Sequence, residues 1–241
     1  MLIAEAWPLP HTWIQSYHDH RMIPSPSNNR PDPKTVVLEA LARLGAQFPL
    51  EQRIRAALEP ERAAYAQILA HWLRATLPSA PAFDADALAA LVKLDAVVPE
   101  EHGLGCYPFS TNDTGIRVSL PGGTVNAMCA VDALAIARLA RARTHIETAC
   151  TTCAAAIAFH VQENGGLDHD QVEMARVVWR QASDTETSCS RGLCRQIRFL
   201  CRTCPEPQAS ECYTLPQAAA IGNAFFHFQS ALLAAHAGPA S

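Results

Sequence analysis

Val125-Asn126-Ala127-Met128-Cys129-Ala130-Val131-Asp132-Ala133-Leu134 is the stretch around which the rest of the chain organises. Its first half resumes an alternation begun at Ile116, Val118 and Leu120 and broken by the turn Pro121-Gly122-Gly123, the pattern of two short strands with a tight connection. Its second half loses that alternation and reads as a helix. Cys129 and Asp132 thus stand three residues apart where a strand enters a helix, and they point the same way. A thiolate at a helix start is favoured by the local dipole, and a carboxyl beside it can carry a proton. The same spacing also fits a small buried cysteine next to a helix-capping aspartate, and spacing alone favours that plainer reading.

Upstream, apolar residues recur at helical spacing from Thr35 to about Val98. Val37, Leu38, Leu41 and Leu44 predict one helix with Gly45 as its C-cap. A second, from about Leu50, would bury Ile54, Ala57 and Leu58. A third carries Pro60 in its first turn, presents Tyr65, Ile68, Leu69, Trp72 and Leu73 as a broad stripe, and stops at Pro78. A fourth is capped by Asp84 and presents Leu88, Leu91 and Val92. Residues 35–105 therefore read as a small helical, winged-helix-like domain. Residues 1–34 hold Pro8, Pro10, Pro24, Pro26, Pro31 and Pro33 with little periodicity, an irregular arm. His11, His18 and His20 lie in it without a nearby cysteine or helical alignment, which makes a metal-binding tail the weaker reading.

Downstream, residues 145–150 and 156–161 read as strands joined by the Thr151-Thr152-Cys153 corner, and 172–179 and 193–201 as further strands. A final helix from about Pro216 would bury Ile221, Phe225, Phe228 and Leu232. Helices first, then a mostly antiparallel sheet with a closing helix, is an α+β architecture, with its β-rich unit at 106–241.

Net charge is −4, with 19 Lys and Arg against 23 Asp and Glu. No basic field is available to hold phosphate backbones, so nucleic acid is not an expected partner despite the helical front half. The N-terminus lacks a basic segment followed by an apolar core, and no uninterrupted apolar run approaches a membrane span; a cytoplasmic protein without a membrane partner is expected. Nine cysteines in such a chain read as metal ligands, nucleophiles or small buried hydrophobes rather than a disulfide framework. All but Cys106 lie from Cys129 to Cys212, which places the thiol chemistry in the back half. Neither G-x-x-x-x-G-K nor G-x-S-x-G occurs.

Tyr107-Pro108-Phe109-Ser110, Ile116-Arg117-Val118 and Ala127-Met128-Cys129-Ala130-Val131-Asp132-Ala133-Leu134 together resemble the core of alkylmercury (organomercurial) lyases. The similarity continues at residues 145–150 and at Cys194-Arg195-Gln196-Ile197-Arg198-Phe199, which looks like the strand bearing that family's second catalytic cysteine. It covers about residues 106–232, and the helical front half is compatible with the family's winged-helix-like domain. The resemblance implies that Cys129 and Cys194 take mercury from R–Hg–X and that Asp132 protonates the departing carbon. It implies a small organometallic substrate, no required cofactor, and hand-off of Hg(II) to mercuric reductase or small thiols. The chemistry is coherent in its own right. Soft thiolates prefer soft metals, a second thiolate pushes charge onto the alkyl group, and a carboxyl in an apolar pocket holds its proton at neutral pH.

Two features depart from that pattern. Cys150-Thr151-Thr152-Cys153 and Cys201-Arg202-Thr203-Cys204 are C-x-x-C pairs, which at strand ends could form a four-thiolate zinc site. The 47 residues between them exceed the spacing of a simple zinc ribbon, so intervening strands would have to bring the pairs together. Unpaired thiols are the equal alternative, with a redox or metal-relay function ranking below both. Arg195 follows Cys194 directly; it or Arg198 is either a solvated face or a charge that lowers the Cys194 pKa. Cys189 and Cys212 have no partner by spacing, although Cys189 could add a third thiol to the site, and Cys106 reads as packing. The alternative function is a metal-dependent enzyme, or a copper or zinc binder, of the same fold with a reused thiol pocket. A third is a structural zinc module with an interaction surface on its helices.

Overall fold

Four helices open the fold. The computed structural model describes residues 32–180 and 188–236; the bulk of the Pro-rich arm, with His11, His18 and His20, lies outside them. Helices α1 (Pro33–Gln47), α2 (Leu50–Ala56), α3 (Glu59–Leu73) and α4 (Ala85–Lys93) follow the apolar spacing. Asp84 caps α4 by accepting from the Ala87 N–H at 2.9 Å. Two local expectations fail. Gly45 does not end α1, because Leu44 and Phe48 are both buried and hold a last turn closed by Phe48 N–H donating to Leu44 O at 2.8 Å. Leu58 is 68% exposed; it is the N-cap of α3, where its N–H donates to Glu61 at 2.7 Å.

The strands form two sheets. One has the order β1 (Val97–Glu100), β2 (Gly103–Cys106), β3 (Phe109–Ser110), β5 (Gly123–Ala127), β4 (Ile116–Leu120), β6 (Thr144–Ala149), β7 (Ala156–Val161). The second has β10 (Ser210–Thr214), β8 (Ala175–Arg180) and β9 (Ile197–Cys201). Each pairing is antiparallel. Helix α5 (Ala130–Ala140) follows β5, a short α6 (Leu193–Gln196) precedes β9, and α7 (Leu215–Phe225) and α8 (His227–His236) close the chain. The segment expected as a strand over 193–201 is thus one helical turn followed by a strand. Cys194 N–H donates to Cys189 O at 2.9 Å, which curls the chain before it extends. The strand expected from Val172 starts at Ala175, because Met174 N–H closes a turn on Gln171 O at 3.1 Å.

Helix α5 is the centre of the molecule. Every residue from Ala130 to Ala137 is buried, as befits a helix that is apolar on all sides. It packs on β4, β5, β6, β9 and α7, and its alanines let these layers approach closely. The front helices join the same core: Trp72 stacks on Phe109 with centroids 5.5 Å apart, and its Nε1–H donates to Leu104 O at 3.0 Å. Gln229 of α8 donates to Tyr65 Oη and Tyr107 O, each at 2.8 Å. By length and composition alone residues Leu215–His236 are long and apolar enough to cross a bilayer, although Gln217, Asn223, His227 and Gln229 interrupt the apolar run. That stretch is broken at Phe226 into α7 and α8, which pack against α5, α1 and α3.

A close helix-to-helix approach in this core is at Gly222 of α7. A Cβ there would lie 2.5 Å from Val131 O on α5, a backbone atom that cannot step aside. Gly222→Ala is expected to destabilise the fold by about 1–3 kcal/mol through overpacking, read as a fall in melting temperature of about 3–10 °C. An unchanged melting temperature would show that α7 can shift off α5 freely.

Candidate active site

Strand β5 runs into α5 at Cys129, which occupies the N-cap. Its sulfur takes the role that a serine or aspartate oxygen plays in other helices: it accepts from the Asp132 N–H at 3.5 Å. Asp132 is the third residue of the helix and turns back over the same end. On the other side, the turn of α6 presents Cys194, whose thiol donates to Asp132 Oδ2 at 3.8 Å. The two sulfurs and a carboxylate oxygen all lie within 4.8 Å of one another. Cys129, Asp132 and Cys194 are each no more than 4% exposed.

Burial dominates the electrostatics. Loss of hydration pushes Asp132 up to about 7, against hydrogen bonds from both thiols that favour its ionised form. Burial likewise pushes Cys129 up to about 11, which outweighs the helix-start effect expected from its position. Cys194 rises well above the ordinary thiol range because hydrogen bonding with its neighbours Cys129 and Cys189 favours its protonated form, with burial adding to this. Neither Arg195 nor Arg198 lowers it; Arg195 is exposed, and Arg198 donates to Thr114 O at 2.9 Å. At neutral pH the resting site is two protonated thiols beside a carboxyl group near its midpoint.

Cys189 joins the site as a third thiol, 3.6 Å from Cys194. Its loop is anchored by Asp95, whose carboxylate accepts from Cys189 N–H at 2.8 Å and Ser188 Oγ–H at 2.9 Å. Tyr107 completes the anchor: its hydroxyl donates to Asp95 at 3.3 Å and accepts from Ser190 N–H at 2.8 Å. Asp95 gave no signal in the sequence, because it follows the end of α4 and meets Cys189 only through the tertiary fold. Leu44, Phe48, Val131, Leu193, Phe225 and Phe226 wall the thiols into a cavity of about 10 Å³, at the limit for one water molecule. A wider groove of about 880 Å³ is lined by Asp95, Ser188 and Ser190 and by Arg191, Arg195 and Arg198.

The four C-x-x-C thiols gather elsewhere. Cys150, Cys153, Cys201 and Cys204 form one cluster with all sulfurs within 4.8 Å of one another. Cys106 is buried on β2 and Cys212 is half-buried on β10, and neither belongs to either cluster.

Residues 109–226 match the family model of alkylmercury lyase, MerB. The fold is similar to that of the mercury-bound form of MerB2, a crystal structure, with a TM-score of 0.58 and 20% identity over 75% of this chain and 96% of that one. A search of curated proteins found no match. The family match spans the strand, helix and turn that carry Cys129, Asp132 and Cys194, and residues 109–226 are an alkylmercury lyase domain.

Proposed function

We propose that this chain cleaves the carbon–mercury bond of organomercurials by protonolysis, with Cys129 and Cys194 holding mercury and Asp132 moving the proton. The observation that carries this reading is two buried thiols and a buried carboxyl group poised near pH 7, all within 4.8 Å of one another. Cys129 exchanges its proton for mercury, giving Cys129–S–Hg–R and HX. Cys194 then passes its thiol proton to the Asp132 carboxylate along their 3.8 Å contact, and its sulfur adds to mercury. The second sulfur pushes electron density onto carbon, and the Asp132 acid returns the proton there. R–H leaves, Hg(II) stays on two sulfurs, and Asp132 is again a carboxylate. Two thiol protons are consumed, one to X and one to R.

For hand-off, Cys189 is the next sulfur beyond Cys194, and Hg(II) would pass on to a small thiol or a mercuric reductase by way of the nearby groove, whose lining mixes Arg191, Arg195 and Arg198 with Asp95, Glu100 and Asp113. The C-x-x-C pairs, which favoured a copper or zinc binder, contribute none of the three groups around Asp132. The test is benzene release from a phenylmercury compound with excess small thiol present, followed beside mercury retained on the protein. One benzene per mercury over many turnovers is expected. Tight retention of the intact compound without benzene would overturn the proposal.

A further inference from the structure

The second cysteine cluster takes no part in the proposed reaction, and its geometry points to a function of its own. Cys150 follows the last residue of β6 and Cys153 sits in the turn to β7, at one end of the large sheet; Cys201 ends β9 in the small sheet and Cys204 lies in the loop after it. We infer that these four sulfurs form a structural zinc site that staples the two sheets together.

Distances support a tetrahedron. The Cys150–Cys204 and Cys153–Cys201 sulfurs are 3.8 and 3.7 Å apart. A zinc ion with Zn–S bonds of about 2.3 Å places its sulfurs about 3.8 Å apart. A disulfide would need about 2.05 Å, and all nine cysteines are free. The backbone is also arranged for thiolates. Thr152 N–H and Cys201 N–H both point at Cys150 Sγ, at 3.5 and 3.3 Å, so the sulfur receives hydrogen bonds that offset negative charge. Ala154 takes a left-handed φ of 58° and donates to Cys150 O at 3.0 Å, folding Cys153 back toward Cys150. That conformation is unfavourable for alanine, and the turn sustains it only because the surroundings hold it.

Ligand chemistry narrows the ion to the thiophilic metals. Four sulfurs with no carboxylate among them exclude the hard cations, and tetrahedral all-sulfur geometry suits zinc. The site also has a mechanical logic. Thr151 N–H donates to Phe199 O at 2.9 Å, and Phe159 meets Phe199 edge to face at 5.7 Å, so the sheets already touch here. Strand β9 would then be pinned at its far end by the metal, while the turn at its near end carries Cys194.

Metal analysis of the full chain, expressed with zinc in the medium and purified without chelator, should find one zinc per chain. Cys129→Ser should keep it; Cys204→Ser and, separately, the exposed Cys153→Ser should lose it. Removing zinc with a strong chelator should lower the melting temperature by about 10 °C, and adding zinc back should restore it. Cobalt substitution of the wild-type chain should give thiolate-to-metal absorption, which needs no variant to fold. Absence of stoichiometric metal, copper or iron in its place, or a zinc lost in Cys129→Ser but kept in Cys153→Ser would each overturn the inference. None of these readouts depends on carbon–mercury cleavage.

Discussion

Asp132→Asn is expected to hold an arylmercury compound as tightly as the wild type and to release hydrocarbon about 10²–10⁴-fold more slowly, the range typical of a lost general acid. The change keeps the shape and removes the proton, and both sulfurs remain to bind mercury. Single-turnover hydrocarbon release, measured beside mercury retained on the protein, separates the two effects. A variant that cleaves at the wild-type rate would remove Asp132 from the reaction. The same substitution carries a stability signature. Asp132 titrates near 7 in the fold and near 3.9 in the unfolded chain, so between these values the folded state binds the extra proton. Its contribution to stability is complete below about pH 4 and is lost as pH rises through 7, at a cost on the order of 4 kcal/mol. Asp132→Asn should therefore melt higher than the wild type at pH 8, with the gap narrowing as pH falls from 7 and closing only near pH 4. Equal melting temperatures at both pH values would mean that the carboxyl group is hydrated.

Cys129→Ser and Cys194→Ser should each lose roughly 10³-fold or more in cleavage, and the double variant should be little worse than either, because groups that act as a unit are not additive. A hydroxyl is a hard, weak ligand for mercury, so each single variant should also surrender bound organomercurial to excess thiol. The measurement is the rate of hydrocarbon release for the three variants, with mercury retention after dialysis against thiol. Losses that multiply in the double variant would indicate two independent roles in place of one shared mercury.

The N-cap cysteine and its aspartate were legible because they are local: three residues on one helix turn fix their relation whatever the rest of the chain does. Strands β6 and β7 were legible for the same reason, as alternation bounded by a corner. Other features depend on contacts that spacing does not encode. Cys194 reads as a strand residue by its neighbours Ile197 and Phe199, yet its N–H is taken by Cys189 O and the chain coils first. Strand β10 has one buried side chain, Tyr213, and therefore almost no apolar pattern to announce it. The hairpin of β1 and β2 is hidden in Gly103 and Gly105, which read as a break between segments. Asp95 and Cys189 meet across 94 residues of sequence. The two C-x-x-C pairs were visible as motifs, but their convergence required two strands from different sheets to end side by side.

Val131 and Leu193 line the thiol cavity from the same helices as its reacting atoms, but its phenylalanine walls come from other parts of the chain. Leu44 and Phe48 come from α1 and the residue after it, and Phe225 and Phe226 from the junction of α7 and α8, while Cys129, Asp132 and Cys194 come from the start of α5 and from α6. Reactivity and selectivity are thereby separable traits. The organic group would lie against aromatic rings that hold no sulfur and carry no proton, so those rings can be recut without touching the mercury ligands. Phe225 is the natural handle, since it is only half-buried, whereas Phe48 packs at 4.6 Å against Tyr107 and so bears on the anchor of the Cys189 loop. A lineage of such enzymes can widen or narrow its range of organomercurials by trading bulk at one helix junction, under a reaction centre that stays fixed.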